Sequence, residues 1–195
     1  MIPICPAPTP RDFDSKVRQP GLSALAELVG EPQTKPRRGP KRAKVAERRE
    51  DIPSDKFPDF WTMVFPDMRN AYSMLCAYLA LHIHHATGVS TVDHFVPKSK
   101  AWDMVYEWSN YRLASHYINT LKGEKEGVLD PFEIEEGWFA LEFEGEKDND
   151  VVLVEVLAGE KATGDIESRV WHTIDMLHLN ASEFCRARGE YVTYY

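Results

Sequence analysis

The sequence predicts an α+β protein: a central strand–strand–helix unit, an N-terminal helical segment before it, and a C-terminal β-hairpin with two helices after it. Three observations carry this. Extended runs come in pairs, first in "HIHHATGVSTVDHFVP" and again in "GWFALEFEG" and "VVLVEVLAG". Apolar residues recur at helical spacing in Leu113, Tyr117, Ile118 and Leu121, and again in Ile166, Val170, Ile174 and Leu177. The first 55 residues, by contrast, hold many of the prolines and a basic run, neither of which builds a core.

Taken in order, residues 1–55 form a Pro-rich basic arm, expected to be partly disordered. "PAPTPRDFD" and "PQTKPRRGPKR" cannot make a helix or a central strand, because proline removes a donor and fixes φ. Within the arm, "GLSALAELVG" predicts one short helix ending at Gly30. Residues 56–195 hold the folded domain, with a core at 76–123 and an acidic extension at 124–195. The stretch from Phe57 is rich in aromatics and aliphatics and predicts a buried helix in its first half. Two extended pieces around Thr87-Gly88 predict a hairpin, and a helix follows from about Tyr111 to a stop at Gly123. In the extension, "EKDND" predicts the turn between two strands, and Asn180 with Glu183 matches a capping box for the last helix.

The net charge of −8 conceals two opposed blocks. Lys35 to Arg49 carries eight Lys or Arg against Glu47 alone, so the rest of the chain stands at −15. Glu124 to Glu167 holds 15 acidic residues against three Lys. The basic run is either a solvated linker or a phosphate-contacting arm, with Arg37, Arg38, Lys41 and Arg42 as contacts. Three widely spaced cysteines, Cys5, Cys76 and Cys185, argue against a disulfide framework and, with no apolar run long enough for a membrane span, predict a cytoplasmic chain.

The chemistry concentrates in "TVDHFVPKS". Adjacent strand residues point to opposite faces, so Asp93 and His94 cannot both decorate one solvent edge. A carboxylate from Asp93 and a carboxamide oxygen from Asn119 on the helix are hard donors suited to Mg²⁺ or Mn²⁺. His94, displaced from them, is then the general base on a water. His82, His84 and His85, with Cys76, could be read as a second metal cluster, but alternating His82 and His84 are expected to line the polar face of a strand. Trp102, Tyr106, Trp108 and Tyr111 are expected to be core rather than base-stacking platforms.

These residues resemble the HNH endonuclease family, the ββα-metal fold, in its His-Asn-Asn variant. "TVDHFVPKS…EWSNYRLASHYINTLKG" places Asn110 sixteen residues after His94, Asn119 nine further on, and Lys122-Gly123 three beyond that. The resemblance implies His94 as general base, Asp93 and Asn119 as metal ligands, and Asn110 as a brace orienting His94 through a backbone contact. Lys122 would lie near a phosphate, and Lys98 would join it in contacting nucleic acid. Many relatives hold a zinc with two Cys-x-x-Cys pairs; here those positions are Cys76, Leu79, Ser115 and Ile118, so no structural zinc is expected. The implied function is metal-dependent cleavage of DNA in bacterial defence or restriction, with an ATPase or other protein subunit supplying the target. The alternative is a non-cleaving nucleic-acid-binding or adaptor subunit of a larger defence complex.

Overall fold

A computed structural model describes residues 1–145 and 152–194. Mixed α and β structure is observed, with two small antiparallel sheets. The chain forms two compact units, each assembled from separated segments. The first contains Met1–Pro6, Met74–Ser90 and Ala114–Tyr195, and the second contains Ala7–Ser73 and Thr91–Leu113.

In the second unit a π-helical turn, Asp14–Arg18, runs into helix α1, Gln19–Leu28. Pro20 fits here because a first-turn N–H needs no helical partner. Gly30, at φ +82°, donates to the Glu27 carbonyl and ends the helix as expected. The arm is not coreless, however. Phe13, Val17, Leu25 and Leu28 are buried, and Gly21 lies so close to Tyr106 that an added Cβ would sit 2.4 Å from its ring. Its basic stretch is also tied down. Val45 donates to the Leu28 carbonyl, and Glu27, its side chain 3% exposed, takes Arg37 and Arg42 in ion pairs of 3.1 and 3.0 Å. A buried carboxylate demands cations, and the nearest ones are those of the basic run. The aromatic stretch is partly helical, through a 3₁₀ segment Phe60–Val64 and helix α2, Phe65–Ala71, which bury Val64 and Met68.

Strand β1, Ser90–His94, pairs with β2, Tyr111–Ser115, rather than with the segment before Thr87. The expected hairpin is therefore replaced by a pair closed over a long loop. The predicted helix from Tyr111 also gives way, since its first five residues are β2 and helix α3 spans only His116–Lys122. The stripe of Leu113, Tyr117, Ile118 and Leu121 straddles two elements. Tyr111 to Ala114 are all buried, and ladder pairing there outweighs helical periodicity. Ser115 accepts from the Ile118 N–H as N-cap, and Gly123, at φ +49°, closes the helix.

The rest of the first unit follows the expected order. Strands β3, Phe139–Gly145, and β4, Val152–Ala158, pair antiparallel with Phe139 opposite Ala158 and Gly145 opposite Val152. The predicted turn "EKDND" lies outside the described residues. Helix α4, Asp165–Met176, buries Val170 and Ile174, with Leu177 just beyond it, and α5 spans Ser182–Tyr194. The capping box does not form. Asn180 instead bonds both backbone groups of Val156, at 2.7 and 2.9 Å, while Glu183 accepts from the Tyr117 hydroxyl at 2.6 Å. An amide side chain can satisfy a strand's N–H and C=O together, which a single N-cap bond cannot match.

Candidate functional site

His94 ends β1, and its ring is held on three sides. Nε2 lies 3.0 Å from the Val105 carbonyl oxygen. A carbonyl can only accept, so Nε2 carries the proton and Nδ1 carries the basic lone pair. Trp61 meets the imidazole edge-on at 4.7 Å between ring centres, and Tyr111 does the same at 5.2 Å. Tyr111 also donates its hydroxyl to the Val105 oxygen at 2.8 Å. His94 is 8% exposed and Asp93, one residue earlier on the strand, 3%.

Val105 lies in the loop that leaves β1 and returns to β2, and Asn110 closes that loop. Its Oδ1 accepts from the Val96 N–H at 2.7 Å, while Nδ2 donates to the carbonyls of Val96 at 3.0 Å and Met104 at 3.1 Å. Its own carbonyl accepts from the Phe95 N–H at 2.9 Å. One buried amide therefore fixes the chain just after His94 and the chain just before Val105.

Lys98, in the same loop, places its ammonium 4.7 Å from the Trp61 ring centre, so a cation sits beside the indole that packs on His94. Trp61 was not identifiable from the sequence. It lies 33 residues before His94 in an aromatic-rich run with no spacing signal. The buried Arg112, held by the carbonyls of Ser109 and Tyr111 and stacked over Phe95, was missed for the same reason. Tyr106, Trp108 and Tyr111 are buried core, as expected. Burial pushes the Tyr106 and Tyr111 phenols well above their ordinary range.

The structure thus brings Asp93, His94, Asn110 and Lys98 together in the second unit. Asn119 and Lys122 lie on α3 in the first. Lys122, expected near a phosphate, is 1% exposed. Of the basic run, Arg37 and Arg42 are held by Glu27, whereas Arg38 and Lys41 are exposed.

In the first unit, Cys76 sits in a tight turn. Its N–H donates to the Leu81 carbonyl, its carbonyl accepts from the Ala80 N–H, both at 2.9 Å, and Ala80 takes φ +56°. The Ser115 N–H points at its sulfur, 3.4 Å away. Burial pushes the Cys76 thiol up, although N–H groups of Ser115, Leu79 and Tyr78 pull the other way. Leu79 and Ile118 are buried.

No family, curated protein or solved structure matches the chain. Among the described residues no group of three or more His, Cys, Asp or Glu is arranged to hold a metal, and no helix is long and apolar enough to cross a membrane.

Proposed function

We propose that the chain is a divalent-metal-dependent endonuclease that hydrolyses phosphodiester bonds in DNA, using an HNH-type ββα-metal finger formed by β1, the 95–110 loop, β2 and α3. The observation that carries this reading is the His94–Val105 contact. It assigns the basic nitrogen to Nδ1 and fixes the ring, as a general base requires. In the proposed reaction, Nδ1 takes a proton from water as the water oxygen attacks phosphorus. The new P–O bond forms, the bond to the leaving sugar oxygen breaks, and that oxygen is protonated from solvent. Asn110 acts as a positioning residue through the loop that bears Val105.

The metal would be Mg²⁺ or Mn²⁺, with the Asp93 carboxylate as its oxygen donor in the second unit. Bound, it offsets negative charge developing on the phosphate. So small a set of hard oxygen donors suits an ion that keeps waters and takes phosphate oxygens, as Mg²⁺ does. Structural zinc does not enter this reading, because Leu79 and Ile118 have no donor atoms. Lys98, Arg38 and Lys41 are the candidate phosphate contacts, and the acidic stretch 124–167 would repel DNA and suit a protein partner that supplies targeting.

A second reading, a nucleic-acid-binding or adaptor subunit without cleavage, draws on the low exposure of Asp93 and His94. Incubating the protein with plasmid and single-stranded DNA, in Mg²⁺ or Mn²⁺ against EDTA and beside His94→Ala, separates the two. Metal-dependent cutting lost in the variant supports the nuclease. Binding without cutting at every metal level, even with the products of neighbouring genes added, supports the second reading.

A further inference from the structure

The histidines that the nuclease reading leaves aside are arranged unevenly. His82 and His85 are both exposed, with ring centres 6.1 Å apart and planes inclined at 63°. Among the described residues neither ring takes part in a hydrogen bond or an ion pair. His84, between them, is engaged locally, since its Nδ1 accepts from the Ala86 N–H at 3.2 Å.

The backbone that presents the pair is braced. His82 bridges to Leu75, the Ile83 N–H donates to the Met74 carbonyl at 2.7 Å, and the Gly88 N–H donates to the His84 carbonyl at 2.7 Å. Ile83 is buried between them and anchors the segment.

With metal–nitrogen bonds of about 2.0–2.1 Å, two imidazoles on one ion have ring centres about 5–6.5 Å apart, for ligand angles from tetrahedral to linear. The observed 6.1 Å falls inside that window. We propose that His82 and His85 form a surface chelate for a late divalent transition ion of the Zn²⁺ class, with water filling the other coordination positions. Imidazole pairs prefer such ions to Mg²⁺, so this site is chemically separate from the Asp93 chemistry and does not depend on it. Cys76 does not belong to it: its thiol is buried and held by backbone N–H groups.

Calorimetric titration of the full chain with Zn²⁺ near neutral pH tests the assignment. The wild type is expected to bind, and His82→Ala or His85→Ala to lose at least about tenfold in affinity, since even outer-shell partners of a metal are worth that much. His84→Ala should bind as the wild type does, because its ring is engaged by its own backbone. Undiminished binding by the His82→Ala/His85→Ala double variant, or an equal loss in His84→Ala, would overturn the proposal.

Discussion

The imidazole of His94 and the hydroxyl of Tyr111 converge on one atom, the carbonyl oxygen of Val105, at 3.0 and 2.8 Å. Two buried donors on one oxygen leave little freedom in the ring's position. Tyr111→Phe removes one of them and is expected to cost about 0.5–1.5 kcal/mol, the net worth of a typical hydrogen bond. Chemical denaturation should show that loss with the slope unchanged. If the nuclease reading holds, DNA cleavage should fall while metal affinity stays the same.

Asn110→Ala should be more damaging. It leaves the Val96 N–H and the carbonyls of Val96 and Met104 without their amide partner, at a cost of about 2–4 kcal/mol. Asn110→Asp should not rescue it, because a carboxylate would face two carbonyl oxygens. A urea midpoint for Asn110→Asp equal to that of the wild type would show that the loop is braced by something else.

Legibility of this centre in the sequence was uneven. Asp93, His94 and Asn110 stand at recognisable spacings, and the Asn110 amide bonds Val96 and Met104 in the loop after β1. Trp61, Val105 and Tyr111 were invisible as neighbours of His94, because aromatic packing and a backbone carbonyl leave no spacing in a sequence. The β3–β4 hairpin and α4 were legible from alternation and a helical stripe, whereas β2 was not. Its apolar residues fit either period, and only the pairing with β1 decides. In residues 1–55, composition cannot show that the Glu27 side chain is buried beneath its own basic run.

Glu27→Gln tests that arrangement. Burial pushes the Glu27 carboxyl up, but Arg42 and Arg37 outweigh it and hold it below the usual value of 4.5. A depressed carboxyl contributes stability above that value and loses it as pH falls through the folded one. The variant should therefore be less stable near neutral pH, by about 1–3 kcal/mol given two partly exposed partners, and should show a shallower decline in acid. It also releases Arg37 and Arg42, so if the nuclease reading holds, DNA binding should tighten and depend more steeply on salt. An unchanged salt slope would remove the arm from the interface.

At high pH the sign reverses. Tyr106 and Tyr111 have phenols raised by burial above the ordinary value of 10, so their contribution is complete below that value and is lost as pH rises past it. Tyrosinate absorbance followed during alkaline titration should show two phenols that ionise only as the protein unfolds. Smooth ionisation of all eight tyrosines in the folded protein would contradict it.

Gly21→Ala should destabilise although alanine favours helix by about 1 kcal/mol. The added carbon meets ring atoms of Tyr106 at 2.4 Å, and overpacking of that kind costs about 1–3 kcal/mol. A fall in melting temperature is expected, and a rise would mean that the ring moves aside freely.

The second unit joins Ala7–Ser73 to Thr91–Leu113, which sets an order on its birth. The partners of α1, Tyr106 among them, leave the ribosome long after Leu28 does. At ~5–20 residues per second, the wait from Leu28 to Leu113 lasts about 4–17 s. Through that interval the Gly21 face of the nascent helix lacks the Tyr106 ring that covers it in the folded unit. A chaperone working on this chain would find its first client there, at the end that composition alone would have marked as needing none.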